Sequence, residues 1–242
     1  MRHTAIVTGA SRGLGLALAH ELAAAGWDIV ADARGATALA AAADRIEAAG
    51  PGEVVAIPGD VGDPAHVAAL VAAAEQLGGP HLVVNNAGTL GPSPLPRLAE
   101  VDPAAVAATL ATNVVAPLRL IQATLPALRG HRGVIVDVTS DAAVEGYEGW
   151  GAYGASKAAF EQLSRVLAAE EPDVAVYWVD PGDMRTRMHQ DAFPGEDISD
   201  RAEAGSRAPA IVALVADRPP SGRYRVEDLL APASPESVGA RP

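Results

Sequence analysis

Thr8-Gly9-Ala10-Ser11-Arg12-Gly13-Leu14-Gly15 lies between a short apolar segment, 3–8, and an Ala/Leu-rich stretch that ends at Gly26. The first is typical of a buried strand and the second of a helix. The three glycines let the backbone turn tightly and approach a ligand, and the N-terminus of the following helix offers free N–H groups to a phosphate. Their spacing is G-x3-G-x-G, not the common G-x-G-x-x-G. We therefore predict a strand, a phosphate-binding loop and a helix; the alternative is a packing turn without a ligand.

Strand-like and helix-like segments alternate along the rest of the chain. The predicted strands are 3–8, 27–33, 53–58, 81–85, 134–139, 174–179 and 223–226. Because most are apolar on both faces, they predict a doubly wound parallel α/β sheet of the Rossmann type, with about seven strands and helices on both sides. We expect one domain over residues 1–230 and a flexible tail over 231–242.

Two predicted helices and one segment have notable boundaries. A long helix is expected from Asp102 to about Arg129, bent before Pro117. A shorter helix is expected from Pro209 to Ala216, after an irregular polar segment at 182–206 that could cover a site. The loops after strands one, four, five and six should meet where the strands end, at the carboxyl edge of the sheet.

Composition excludes several classes of function. The net charge of −12 argues against nucleic-acid binding, which uses clustered basic residues. Without cysteine there are no disulfides and no thiolate sites, and the six scattered histidines show no ligand spacing, so no metal is expected. No uninterrupted apolar run approaches the roughly 18 residues of a membrane span. No signal-peptide pattern is present, so we expect a cytoplasmic protein without membrane partners.

One tyrosine and one lysine stand out within a predicted helix over 152–169. Lys157 is the only lysine among 18 basic residues, and it follows Tyr153 by four positions, which places both side chains on one helical face. A phenol is a poor proton donor or acceptor at neutral pH, and a nearby ammonium favours the phenolate and lowers the phenol pKa. The pair therefore indicates acid–base chemistry, although a surface lysine that happens to follow a tyrosine is the simpler alternative.

The end of the second strand bears on the choice of cofactor. Asp32 there could bind a ribose hydroxyl, which would favour NAD, but strand alternation directs it to the other face from Ala33. Arg34 leaves the strand at the carboxyl edge and Arg12 stands in the glycine loop, so two arginines favour NADP(H) over NAD(H). Either arginine could also be simply solvated.

Seven motifs together resemble the short-chain dehydrogenase/reductase family in its compact, single-domain form. They are TGASRGLG at 8–15, Asp60-Val61, NNAG at 85–88, Asn113, Ser140, YGASK at 153–157 and PGDMRT at 181–186. The resemblance implies that Tyr153 is the general acid/base and that Lys157 holds the nicotinamide ribose and lowers the Tyr153 pKa. It also implies that Ser140 hydrogen-bonds the substrate carbonyl and that Asn113 anchors a proton-relay water.

The same resemblance implies a set of cofactor contacts. These are Gly9, Ser11, Arg12, Gly13, Leu14, Gly15, Arg34, Asp60, Val61, Asn86, Ala87, Gly88, Tyr153, Lys157, Pro181, Gly182 and Thr186. In it, Asp60 and Val61 flank the adenine, and Asn86, Ala87 and Gly88 line the ribose side. Pro181, Gly182 and Thr186 cover the nicotinamide and pyrophosphate. The implied activity is NADP(H)-dependent hydride transfer to or from a carbonyl or secondary alcohol. A nucleotide-sensing regulatory protein without turnover is the alternative, and an epimerase or dehydratase a third.

The substrate side is defined by a few apolar and aromatic residues. Candidates are Leu90, Leu95, Glu145, Tyr147, Trp150, Met184, Met188 and Phe193. Tyr147 and Trp150 favour an apolar, cyclic or aromatic small molecule, although core packing would use the same residues. Three acids depart from the family pattern: Asp137 in strand five, Asp141 directly after Ser140, and Asp183. A homodimer or homotetramer is implied by the resemblance, less firmly because Gly222-Arg223-Tyr224-Arg225 replaces the usual C-terminal ending.

Overall fold

The computed structural model describes residues 2–231, and it contains one seven-stranded parallel sheet. Apart from Ala231, the predicted flexible tail 231–242 lies outside the described residues. The strands are β1 Thr4–Val7, β2 Asp28–Ala33, β3 Val54–Pro58, β4 Pro80–Asn85, β5 Val134–Val138, β6 Ala175–Asp180 and β7 Gly222–Arg225. Their order is β3-β2-β1-β4-β5-β6-β7. The predicted doubly wound sheet is confirmed, with the change of winding direction between β1 and β4, where such folds bind ligands.

Helices cover both faces of this sheet. Within residues 2–231 they are α1 Gly13–Ala24, α2 Ala36–Glu47, α3 Pro64–Gln76, α4 Pro103–Leu110, α5 Ala116–His131, α6 Gly151–Glu170, α7 Arg187–Ala192, α8 Ala204–Asp217 and α9 Val226–Leu230. Strand alternation divides the core in two: Ala5 and Val7 of β1 face α1, α2 and α8, whereas Ile6 between them faces α3, α5 and α6. The strands are therefore apolar on both faces because both faces are covered.

The long predicted helix is interrupted by a π turn at Ala111–Val115, between α4 and α5. The bend was expected before Pro117, and the irregularity lies just ahead of that residue. Pro117 has no N–H, so the carbonyl of Asn113 loses its α-helical partner and the turn can widen. Asp102 begins the helix as expected, since its carboxylate accepts from the N–H of Ala104 at 2.9 Å. The π turn places Asn113 at an irregular, buried position, 2% exposed.

Two boundaries were predicted differently. The helix expected to begin at Pro209 begins at Ala204, so that Pro209 stands inside α8, and the segment 182–206 contains the short helix α7.

The stretch Pro103–His131 has the length and composition of a membrane-spanning helix. Leu120, Ile121 and Leu128 on it are buried in the second core, so in this fold it serves as a covering helix of the sheet.

Candidate active site

Tyr153 and Lys157 lie one turn apart on α6, and both are buried, with 8% and 6% of their surface exposed. The Lys157 ammonium donates to the carbonyl of Val138 at 2.7 Å, where β5 ends. It lies 5.6 Å from the centre of the Tyr153 ring. The helical spacing therefore brings the two side chains together at the carboxyl edge of the sheet.

Ser140 joins this pair from the loop after β5. Its hydroxyl caps the 3-10 turn Asp141–Ala143 by accepting from the N–H of Ala142 at 3.2 Å, and it lies near the Tyr153 phenol. It donates to Asp141 Oδ1 at 2.8 Å, and Tyr147 donates to Asp141 Oδ2 at 2.9 Å. Ser140 and Tyr147 thus share the exposed carboxylate of Asp141 as their acceptor.

Burial raises the pKa of the Tyr153 phenol, and the carboxylates of Asp141 and Asp180 raise it further. The neighbouring Ser140 hydroxyl acts in the opposite direction on this pKa but does not outweigh burial. The expectation that Lys157 lowers the Tyr153 pKa is therefore not met by the chain alone, because burial dominates and the ammonium is bonded to Val138.

Burial also lowers the pKa of Lys157 to about 8, opposed by the negative charges of Asp137 and Glu161. Asp137 is fully buried in β5, and burial raises its pKa to about 6. It accepts from Asn85 at 2.8 Å and from Ser164 at 2.7 Å, and both hydrogen bonds favour its charged form. This carboxyl, a departure from the family pattern, is thus part of the environment that keeps Lys157 charged.

The side chain of Asn113 ties the loop after β4 to α6. Its Oδ1 accepts from the N–H of Thr89 at 2.9 Å, and its Nδ2 donates to the Thr89 carbonyl at 2.8 Å and to Ser156 Oγ at 2.9 Å. Gly88 lies against the same amide, where a Cβ would stand 3.2 Å from Oδ1. The side-chain amide of Asn113 is therefore hydrogen-bonded to protein groups. The main-chain carbonyl of Asn113 has no α-helical donor, because residue 117 is a proline.

The glycine loop is fixed to the loop after β4. Gly9 has a φ of 68°, which favours glycine, and a Cβ on Gly15 would collide with the Gly9 carbonyl and with Asn86 Nδ2. Asn86 Nδ2 donates to the Thr8 carbonyl at 2.8 Å, and Thr8 Oγ1 accepts from the N–H of Ala87 at 3.0 Å. Both predicted loops therefore form one structural unit at the change of winding direction.

Asp32 supports this loop and does not point to a ribose. It is 1% exposed; its Oδ1 accepts from the N–H of Gly9 at 2.8 Å, and its Oδ2 pairs with His66 Nε2 at 2.9 Å. We predicted no functional role for His66 from the sequence. Its pairing with Asp32 has no local signal, because the two residues are 34 positions apart.

The other predicted cofactor residues lie along the same edge. Arg12 and Arg34 are exposed and make no ion pair within residues 2–231. Asp60 is exposed and accepts from the N–H of Gly62 at 2.8 Å, and a Cβ on Gly13 would lie 3.6 Å from the methyl group of Thr186. The remaining members have these positions: Ser11 is half-buried, Leu14 is buried in the first core, Val61 is half-buried beside Ala87, Pro181 is buried, and Gly182 donates its N–H to Asp180 at 3.0 Å.

A third apolar cluster surrounds Tyr153. It consists of Leu90, Ala142, Tyr153 and Ala192, with Leu95, Trp150 and Phe193 packed against it. The Trp150 ring is 5.5 Å from Tyr153 and 6.0 Å from Phe193, and Tyr147 is 6.4 Å from Trp150. Met184 does not join the cluster, because it packs on the first core and bridges to Ala202. Met188 and Glu145 are exposed.

Comparisons with known proteins agree with this arrangement. The family model described as short chain dehydrogenase matches residues 3–197. Sepiapterin reductase of Meriones unguiculatus is 38% identical over 197 residues, which cover 76% of this chain and 75% of that protein. Among solved structures, an oxidoreductase from E. coli has a TM-score of 0.86 at 28% identity, covering 93% of this chain and 95% of the other. An alcohol dehydrogenase from the archaeon Thermococcus sibiricus, complexed with 5-hydroxy-NADP, has a TM-score of 0.82 at 27% identity, covering 93% and 94%. The chain therefore belongs to the short-chain dehydrogenase/reductase family.

Proposed function

We propose that this oxidoreductase reduces a carbonyl to an alcohol with NADPH, and that Tyr153 supplies the proton. The observation that carries the proposal is the buried Tyr153 phenol, which lies near Ser140 and next to the Lys157 ammonium. The bound nicotinamide would supply a hydride to the carbonyl carbon. Tyr153 would give its proton to the carbonyl oxygen, so that an alcohol and oxidised cofactor are formed.

The neighbouring groups would orient and stabilise this proton transfer. The Ser140 hydroxyl would bind the carbonyl oxygen beside the phenol, and the Lys157 ammonium would stabilise the phenolate left behind. Asn113 would act through the main-chain carbonyl next to Pro117, which can hold a water from which the phenolate regains its proton.

The proposed cofactor preference is NADP(H) over NAD(H). The glycine loop and the N-terminus of α1 would hold the pyrophosphate, with Thr186 alongside. Arg34 and Arg12 are exposed near the end of β2 and could bind a ribose phosphate, while the buried Asp32 is engaged by Gly9 and His66. The NADP analogue bound to the archaeal relative supports the same choice.

Arg34→Ala is expected to weaken NADPH binding by about tenfold or more, because a charge-assisted bond to a phosphate is lost. NADH binding should be unchanged. Fluorescence titration of both cofactors measures this, with Arg45→Ala, an exposed arginine on α2, as the control. An equal loss for both cofactors, or tighter binding of NADH by the unchanged protein, would contradict the assignment.

The aromatic wall formed by Trp150 and Phe193, with Tyr147 at its exposed end, favours a flat or cyclic ketone. The sepiapterin reductase relatives support a reductase and make sepiapterin the first substrate to test. Loss of nicotinamide absorbance would be followed with sepiapterin and a panel of cyclic, aromatic and aliphatic ketones. Binding of NADPH without turnover of any carbonyl would favour the nucleotide-sensing alternative.

Asp141→Asn is expected to make the enzyme oxidise alcohols at lower pH. Asp141 raises the pKa of Tyr153, so removing its charge lowers that pKa and exposes the phenolate base earlier. The acidic limb of kcat/KM should move down by about half a pH unit or more. Asparagine keeps an acceptor for Ser140, so the comparison isolates the charge. Asp183→Asn is the control, and an equal shift in both variants would count against a specific effect.

We further propose that the protein acts in the cytoplasm and that it is a homodimer or homotetramer, the latter as the family resemblance implies. Sedimentation analysis of the purified protein would test the oligomeric state.

A further inference from the structure

Two buried carboxylates behind the candidate site share one arginine from the last strand. Glu161 on α6 is 3% exposed and Asp180 at the end of β6 is 4% exposed. Arg223 on β7 donates through Nε to Glu161 at 2.9 Å and through Nη2 to Asp180 at 3.1 Å. A buried carboxylate without a partner destabilises the folded state, so the ion pairs with Arg223 stabilise both acids.

The same guanidinium reaches the groups assigned to the reaction. Its Nη2 also donates to the carbonyl of Ser140 at 3.2 Å. Asp180 Oδ1 accepts from the N–H of Gly182 at 3.0 Å, in the turn proposed to cover the nicotinamide. Glu161 accepts from Thr139, next to Ser140, at 2.9 Å. One side chain therefore connects the loop after β5, the turn after β6 and the helix α6.

We propose that Arg223 is a positioning residue, which holds Ser140, the Gly182 turn and the face of α6 that carries Tyr153 and Lys157 in their working arrangement. This inference rests on the function proposed above. The planar guanidinium matters because its fork makes the three bonds at once, which a point-like ammonium cannot reproduce.

Arg223 also balances charge around the two reacting side chains. Glu161 lies one helical turn after Lys157, and the acids that act on Lys157 are Glu161 and Asp137 of β5. Those that act on Tyr153 are Asp141, in the turn after Ser140, and Asp180 of β6. The other cation beside Glu161 is Arg165 of α6, at 3.9 Å and half exposed. Loss of Arg223 should therefore strengthen the negative field at Lys157, and loss of the Glu161 charge should weaken it.

Lys157 is the only lysine in the chain, so lysine labelled with 13C at Cε gives one side-chain signal whose chemical shift reports its protonation without substrate. The midpoint should lie near pH 8 in the unchanged protein, where burial has lowered the Lys157 pKa to about 8. The Lys157 midpoint should rise by about half a pH unit in Arg223→Met and fall in Glu161→Gln. In the double variant it should return to the value of the unchanged protein. Unchanged midpoints would overturn the inference.

Kinetics supply the second measurement. Arg223→Met should lower kcat roughly tenfold or more and raise the KM for NADPH. Arg223→Lys should keep the Lys157 midpoint but lose part of kcat, because the charge remains and the fork does not. Arg225→Met is the matched control on the same strand, since Arg225 pairs with Glu227 in solvent at 3.0 Å. Equal kinetic losses in Arg223→Met and Arg225→Met would refute the positioning role.

The two measurements separate the two proposals. If no carbonyl is reduced by the unchanged protein, the proposed function fails while the lysine titration still tests the network. If the enzyme is active and the titration midpoints do not move, only the inference about Arg223 fails. Should Arg223→Met not fold, two variants still test the inference: Glu161→Gln should lower the Lys157 midpoint, and Arg223→Lys should lower kcat at an unchanged midpoint. An unchanged midpoint in the first together with an unchanged kcat in the second would overturn the inference.

Discussion

Tyr153→Phe is expected to lower kcat for carbonyl reduction by about 10³-fold, within the range that positioned general acids contribute. The ring stays in the cluster with Trp150, so packing is kept and only the proton donor is lost. NADPH affinity should change little, because one hydroxyl among many cofactor contacts is removed. Single-turnover measurement of nicotinamide oxidation, together with fluorescence titration of NADPH, separates the two effects.

Tyr224→Phe is the matched control for the loss of a hydroxyl. Its phenol donates to the carbonyl of Pro220 at 2.6 Å, away from the candidate site, so this variant should keep full activity. Retention of normal turnover in Tyr153→Phe would remove the assigned acid and, with it, the proposed mechanism.

Lys157→Met is the second large effect we expect, with kcat about 10²-fold lower and weaker cofactor binding. Methionine fills the buried space but cannot stabilise a phenolate or donate to the Val138 carbonyl. Burial lowers the pKa of Lys157 to about 8, so the ammonium is present below that pH and lost above it. The wild-type rate should therefore decline as the pH rises through about 8, and this decline should be absent from the methionine variant.

Lys157→Arg distinguishes charge from geometry. The guanidinium keeps a positive charge at every accessible pH but is planar and larger than the ammonium it replaces. We expect partial activity whose rate no longer falls near pH 8, the value to which burial lowers the Lys157 pKa. Normal rate and cofactor binding in Lys157→Met would contradict the role given to the ammonium.

Local sequence patterns predicted the sheet, the glycine loop and the placement of Tyr153 and Lys157 on one face of a helix. Apolar strands, glycine spacing and the interval from Tyr153 to Lys157 are local signals, and each is sufficient to place an element. Met184 was predicted as a pocket residue, but it pairs with Ala202 and packs against the first core. That pairing is between distant segments and has no local signature.

Interactions between distant segments also explain what the sequence missed. Glu161 is one turn from Lys157 and could have been noticed from the helical interval. Arg223, however, lies 62 residues from Glu161 and 43 from Asp180. The pairing of β6 with β7 brings it to Asp180, and the packing of α6 on the sheet brings it to Glu161. The pKa of Tyr153 was predicted in the wrong direction for the chain alone, because a pairwise argument about Lys157 omitted burial.

The π turn at Ala111–Val115 sets the rotational phase between α4 and α5. Deleting one residue there would restore a regular helix, yet it would rotate one half against the other by about 100°. The face of α4 that meets α6 would turn away, and Asn113 would lose register with Thr89 and Ser156. The extra residue of the π turn therefore fixes the length of this segment as long as the Asn113 amide is to keep its partners.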